Sequence, residues 1–189
     1  MNIVIVGCGR VGAALAETFD RAGNRVVILD ESTRSFDRLP SSFGGEAVRG
    51  DGTDEDVLRR AGAEEADLFI ALTEGDNRNI MAAQLAVEAL GARKVIAKIN
   101  DPVRATAYAE LGIATLCRTG LMIDAINTYL GLPASGLAGM LAPTGHHPGG
   151  EHHQHEPGEA VGVGVPTEQP GVPAQPSQPS APAGLTQEA

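Results

Sequence analysis

Tryptophan is absent from this 189-residue chain, aromatic residues make up only 3% of it, and there are two cysteines, Cys8 and Cys117. So few thiols exclude a disulfide-stapled scaffold, and a core this poor in rings must be built from aliphatic side chains. No apolar run approaches the roughly 20 residues that a membrane-spanning helix needs. All five histidines fall between His146 and His155, so the commonest general acid and base is missing from most of the chain. Beyond Leu132 lysine, arginine and aromatics are missing too, while most of the 12 prolines gather there.

The charge balance excludes further classes. Fourteen basic residues face 24 acidic ones for a net charge of −10, and every basic residue precedes Pro133. Neither part of the chain attracts nucleic acid through net charge, and an anionic membrane surface repels both. The chain opens directly on a strand-like run, Met1-Asn2-Ile3-Val4, without the basic leader and apolar stretch of a signal peptide. A reducing, cytoplasmic setting with both thiols free is therefore expected.

What is present is an alternation of short β-branched runs with longer helical patterns, the mark of βαβ units and a parallel sheet. Six strands are expected at Asn2–Val6, Arg25–Leu29, Glu46–Arg49, Leu68–Leu72, Lys94–Lys98 and Ile113–Leu116. Helices are expected at Val11–Ala22, Asp54–Ala61, Asn77–Leu90, Val103–Leu111 and Thr119–Leu130. Right-handed crossovers then give a Rossmann-like, doubly wound α/β fold with a parallel six-stranded sheet. Residues 1–132 are expected to form this nucleotide-binding domain and residues 133–189 a disordered, Pro/Gly/His-rich tail, with at most Leu137–Leu141 extending local structure. The 119–130 helix carries an apolar face wider than one packed stripe needs, made of Leu121, Met122, Ile123, Ile126, Tyr129 and Leu130; a partner is expected to share it.

The chemistry gathers at the carboxyl ends of the strands. Gly7-Cys8-Gly9-Arg10-Val11-Gly12 follows the first strand and opens the first helix, which is the G-x-G-x-x-G pattern in the context it requires. Gly7 permits a tight turn, Gly9 lets a pyrophosphate approach the backbone, and Gly12 allows helix and strand to pack closely, with exposed amides at the positive end of the helix. Arg10 is placed either to clamp a phosphate or to form a surface ion pair. Asp30 closes the second strand, where a carboxylate accepts hydrogen bonds from an adenosine ribose or caps a helix; facing a ribose, it favours NAD(H) or plain adenine nucleotides over NADP(H). Asp51 and Thr53, after the third strand, are candidate adenine contacts and equally natural helix caps. Thr73 ends the fourth strand and Lys98 the fifth, both along the ligand-binding edge; Lys98 is placed for a phosphate, for a partner's acidic group, or simply for solvent. Cys8 lies where a helix N-terminus depresses a thiol pKa, although tolerance of a small residue at the bend explains it as well. The histidines of the tail have no ordered surroundings to orient them, so no metal site is expected.

Several segments in order, GCGRVG, Asp30, GDGTD at 50–54, LTEGDNRNIMAAQLAV at 72–87 and AKINDP at 97–102, resemble the TrkA N-terminal, or RCK N-terminal, family over about residues 1–131. The resemblance implies a cytoplasmic regulatory subunit, peripheral on the membrane through a Trk/Ktr-type potassium transporter, that binds NAD(H) or ATP/ADP and gates its partner by changing shape. It also implies nucleotide contacts at Arg10, Asp30, Asp51 and Thr73. The family's usual second, C-terminal RCK domain has no counterpart in this sequence, so a homo-oligomer or a hetero-oligomer with a companion RCK-type subunit is expected. An enzyme is not, since the carboxyl edge offers no catalytic pair; the alternatives are an NAD-dependent oxidoreductase or a soluble redox or nucleotide sensor.

Overall fold

The computed structural model describes residues 1–137 and 140–141. Most of the tail expected over residues 133–189, its histidine cluster included, falls outside the described residues. Strands β1 (Asn2–Val6), β2 (Arg25–Asp30), β3 (Glu46–Arg49), β4 (Leu68–Ala71), β5 (Val95–Lys98) and β6 (Ala114–Leu116) form a parallel sheet in the order β3-β2-β1-β4-β5-β6. A two-residue strand not foreseen as such, β7 (Met140–Leu141), adds antiparallel to the outer edge of β6.

The strands are apolar on both sides because both faces of the sheet are covered. Val4 and Val6 of β1, with Val27, Leu29, Phe69, Ala71 and Ala97, point to the face covered by α2 (Glu55–Arg60), α3 (Asp76–Gln84) and α4 (Pro102–Glu110). Ile3 and Ile5, with Val26, Ile28, Ile70 and Leu72, point the other way, onto Ala13 and Ala16 of α1 (Arg10–Arg21) and a shell of Phe19, Phe36 and Phe43. Phe36 sits on a 3-10 turn at Thr33–Arg38 that joins β2 to β3.

Helix starts follow local chemistry. Asp54 caps α2 by accepting from the Val57 amide at 3.1 Å, and Asp101 caps α4 from Val103 and Arg104, with Pro102 in the first turn where its missing donor costs nothing. The long helix expected at Asn77–Leu90 divides, α3 passing into a wider π turn over Leu85–Ala89. The last helix, α5 (Arg118–Tyr129), buries little of its apolar stripe: Met122, Ile126, Tyr129 and Leu130 are each more than half exposed. Past residue 132, the Ser135 amide and hydroxyl both donate to Asp124 Oδ1 on this helix.

Candidate functional site

The chain reverses direction across the sheet between β1 and β4, and a crevice opens there beyond the carboxyl ends of the strands, as open α/β sheets require. Loops leaving β1, β2, β3 and β4 line a cleft of about 620 Å³. It brings together Gly7, Gly9, Asp30, Asp51, Thr53 and Thr73 of the residues singled out in the sequence; Arg10, Val11, Gly12 and Lys98 are not part of its lining.

The loop after β1 is shaped by what its glycines exclude. Gly7 has φ +105°, a conformation that side chains resist, and a Cβ there would meet the Leu72 carbonyl carbon and the Thr73 nitrogen at 2.9 Å. A Cβ on buried Gly12 would stand 2.0 Å from the Gly7 carbonyl oxygen, so the first turn of α1 rests directly against the loop. Gly9 meets nothing within 4 Å and faces open space. No side chain caps α1 and no acidic residue stands in its first turn, so its leading amides keep their capacity for an anion. Arg10 and Val11 are exposed on this turn, outside the cleft.

Asp30 ties this loop to β2. Its Oδ2 accepts from the Cys8 amide at 2.8 Å and its Oδ1 from the Ser32 amide at 2.9 Å. Each carboxylate oxygen takes two donors, so both retain room for a ligand hydroxyl. The Cys8 thiol corrects an expectation: fully buried, it is pushed above the ordinary thiol range by burial and by the nearby Asp30 carboxylate, with Arg38 opposing weakly. Its Sγ donates to the Ser35 carbonyl at 3.3 Å. Desolvation here outweighs the helix terminus that the sequence brings to mind.

Asp51 and Thr53 are not the cap of α2, a role that falls to Asp54. Instead the Thr53 amide and hydroxyl both donate to Asp51 Oδ1 at 2.8 Å, and these bonds hold the Asp51 carboxyl below its ordinary value. Lys98 is half-buried at the end of β5, its ammonium destabilised first by burial and then by Arg118.

Two residues to which sequence reasoning assigned no role organise the far wall. Asn79 is fully buried; its Oδ1 accepts from the Thr73 amide and hydroxyl at 2.8 and 2.7 Å, and its Nδ2 donates to the Thr73 and Lys98 carbonyls at 3.0 and 2.8 Å. One amide thereby pins the ends of β4 and β5. Asp76 accepts from the Asn100 amide and side chain and from the Asp101 amide, joining α3 to the loop before α4. The available signal was a polar residue among the apolar positions of a helix, since buried polar groups are kept for their bonds.

Residues 3–119, more than half of the chain, match the TrkA-N domain. The chain belongs to the TrkA-N domain family. A TrkA-N relative, the Trk system potassium uptake protein TrkA of Streptomyces coelicolor, is 47% identical over 145 residues, which are 77% of this chain and 65% of the relative. The chain therefore spans about two thirds of that relative's length. Among solved structures, the Shewanella denitrificans Kef CTD in AMP-bound form matches with a TM-score of 0.55 at 24% identity, over 72% of this chain and 86% of that one. The GsuK channel bound to NAD matches with a TM-score of 0.55 at 19% identity, over 66% of this chain and 22% of the channel chain. At those identities the likeness is one of fold. Among the described residues no helix is long and apolar enough to cross a membrane, and no group of three or more His, Cys, Asp or Glu side chains is placed to hold a metal.

Proposed function

We propose that this TrkA-N domain is a nucleotide sensor that regulates a potassium uptake transporter, taking NAD(H) or ATP/ADP in the cleft and passing the resulting change of shape to its membrane partner. The observation that carries the reading is the pairing, in one cleft, of an uncapped glycine-loop helix with a carboxylate, Asp30, that has acceptor capacity to spare. A phosphate on the amides and a ribose on the carboxylate fit that pairing. The relative's name, a potassium uptake protein, and the AMP and NAD held by two proteins of the same fold support the choice of ligand and partner class.

Regulation without catalysis is the economical form of this function. Among the described residues, the cleft is lined by carboxylates, guanidiniums, hydroxyls, apolar side chains and backbone, without histidine, and its one thiol has its pKa raised by burial. Ligand acts by its differential affinity for two arrangements of the protein, and the exposed apolar face of α5 offers a surface through which such arrangements are read. Arg10, exposed beside the cleft, is positioned for the phosphate end of a ligand that extends past Gly9. Assembly with like or companion RCK-type subunits beneath a Trk/Ktr-type transporter places the domain at the cytoplasmic face of the membrane.

Melting the protein with NAD⁺, NADH, NADP⁺, ATP, ADP or AMP tests this directly. A ligand at 100 times its Kd stabilises by about 2.7 kcal/mol, and Asp30→Ala is expected to remove most of that gain. Equal stabilisation by NADP⁺ and NAD⁺ contradicts the role given to Asp30, and steady turnover of NADH with a small acceptor contradicts the absence of catalysis.

A further inference from the structure

We infer that Arg78 and Glu31 form a latch across the mouth of the cleft, which a phosphate-bearing ligand opens by drawing the guanidinium away from the carboxylate. The inference rests on the nucleotide reading above and adds the group that senses phosphate charge. Glu31 follows β2 on the wall that carries Asp30, whereas Arg78 stands in the first turn of α3 on the opposite wall. Although 47 positions apart in the chain, they meet with Arg78 Nη1 at 3.1 Å from Glu31 Oε2, and both line the cleft.

The surroundings explain why this pair can exchange partners. Arg38 and Arg104, the other guanidiniums of the lining, donate to neutral acceptors, the Ser35 carbonyl and Asn77 Oδ1. Among the described residues, Arg78 is the guanidinium of the lining whose partner is a carboxylate. Its side chain is 57% exposed and that of Glu31 48%, so solvent screens the pair and it opens at small cost. A phosphate offers more charge and more acceptor oxygens than a carboxylate, and a guanidinium matches it in two-point fashion. With carboxylates at Asp30, Asp51, Glu74 and Asp76 also on the lining, a ligand bearing two negative charges gains from a further cation released to it. Adenosine needs none and leaves the latch closed.

The test titrates adenosine, AMP, ADP and NAD⁺ into the full chain and into Arg78→Gln, Glu31→Gln and the double variant, by calorimetry at fixed salt. Arg78→Gln is expected to weaken ADP and NAD⁺ about tenfold relative to adenosine, the scale of one charge-assisted hydrogen bond. Glu31→Gln is expected to strengthen them about threefold by leaving Arg78 free, and that gain is expected to vanish in the double variant. An unchanged ratio of ADP to adenosine affinity in Arg78→Gln, or a Glu31→Gln gain that survives without Arg78, overturns the latch while leaving nucleotide binding intact. A wild-type chain that binds none of the four ligands removes the nucleotide reading itself, and the latch with it.

Discussion

Gly9, at the cap of α1, and Gly12, in its first turn, lie three positions apart, yet different constraints act on them. At Gly12 any side chain collides with the Gly7 carbonyl, so Gly12→Ala is expected to lower stability by about 1–3 kcal/mol, read as a fall in the urea midpoint of the unliganded protein. At Gly9 nothing is within reach, so Gly9→Ala is expected to melt within about 0.5 kcal/mol of wild type while losing part of the stabilisation that ADP confers. The Cys8 thiol yields a prediction with a sign. Its folded pKa is raised above the ordinary 9.0, so the fold favours the protonated form; that contribution is complete below the unfolded thiol's pKa and is lost as pH rises through the folded one. Alkylation of Cys8 at pH 8, followed by peptide mass, is accordingly expected to run far slower in native buffer than in urea, and equal rates would contradict the burial that protects it.

Between elements, Asn79 joins the ends of β4 and β5 through one buried amide. Asn79→Ala strands the Thr73 amide and the Lys98 carbonyl at the ends of β4 and β5, and with an unsatisfied buried group costing about 1–3 kcal/mol the variant is expected to lose roughly 3 kcal/mol or more, with a weaker thermal response to nucleotide. This amide also marks the limit of what the sequence reveals. Strands β1 to β6 were legible because continuous apolar runs between turn signals have few other uses, and the place of the glycine loop and Asp30 at the cleft was legible because each directly follows or ends a strand of the sheet. The π turn over Leu85–Ala89, closed by the Leu90 amide on the Leu85 carbonyl, was not, since the buried positions around it, Ala82, Ala83, Ala86 and Leu90, keep ordinary helical spacing. The bond of Asn79 to Lys98 and the meeting of Arg78 with Glu31 were hidden for another reason: each joins positions whose proximity exists only after the sheet has formed. Asp51 and Thr53 show the intermediate case, a residue choice that suits a cap and a contact alike until Asp54 is seen to take the cap.

At the scale of the whole molecule, the exposed face of α5 and the two edges of the sheet are the surfaces on which predictions about assembly bear. Tyr129 is 90% exposed and Ile126 56%, an unusual amount of apolar surface for a helix to leave uncovered by the described residues. Replacing both with Asp is expected to leave the melting temperature unchanged and to lower the sedimenting mass of the full chain; an unchanged mass would move the assembly surface elsewhere. Cutting the chain after Pro143 is expected to preserve the nucleotide-dependent rise in melting temperature, in keeping with a cleft lined by residues between Val6 and Arg104. The two flanks of the sheet are guarded unequally. β3 ends it with a four-residue strand bearing Glu46 and Arg49, charges that discourage lateral growth. On the opposite flank the guard is two residues of backbone, Met140–Leu141, laid against β6. A protein shortened to Leu130 uncovers that row of donors and acceptors and becomes a template for strands from other copies, so its solutions are expected to turn cloudy over days while those of the chain ending at Pro143 stay clear.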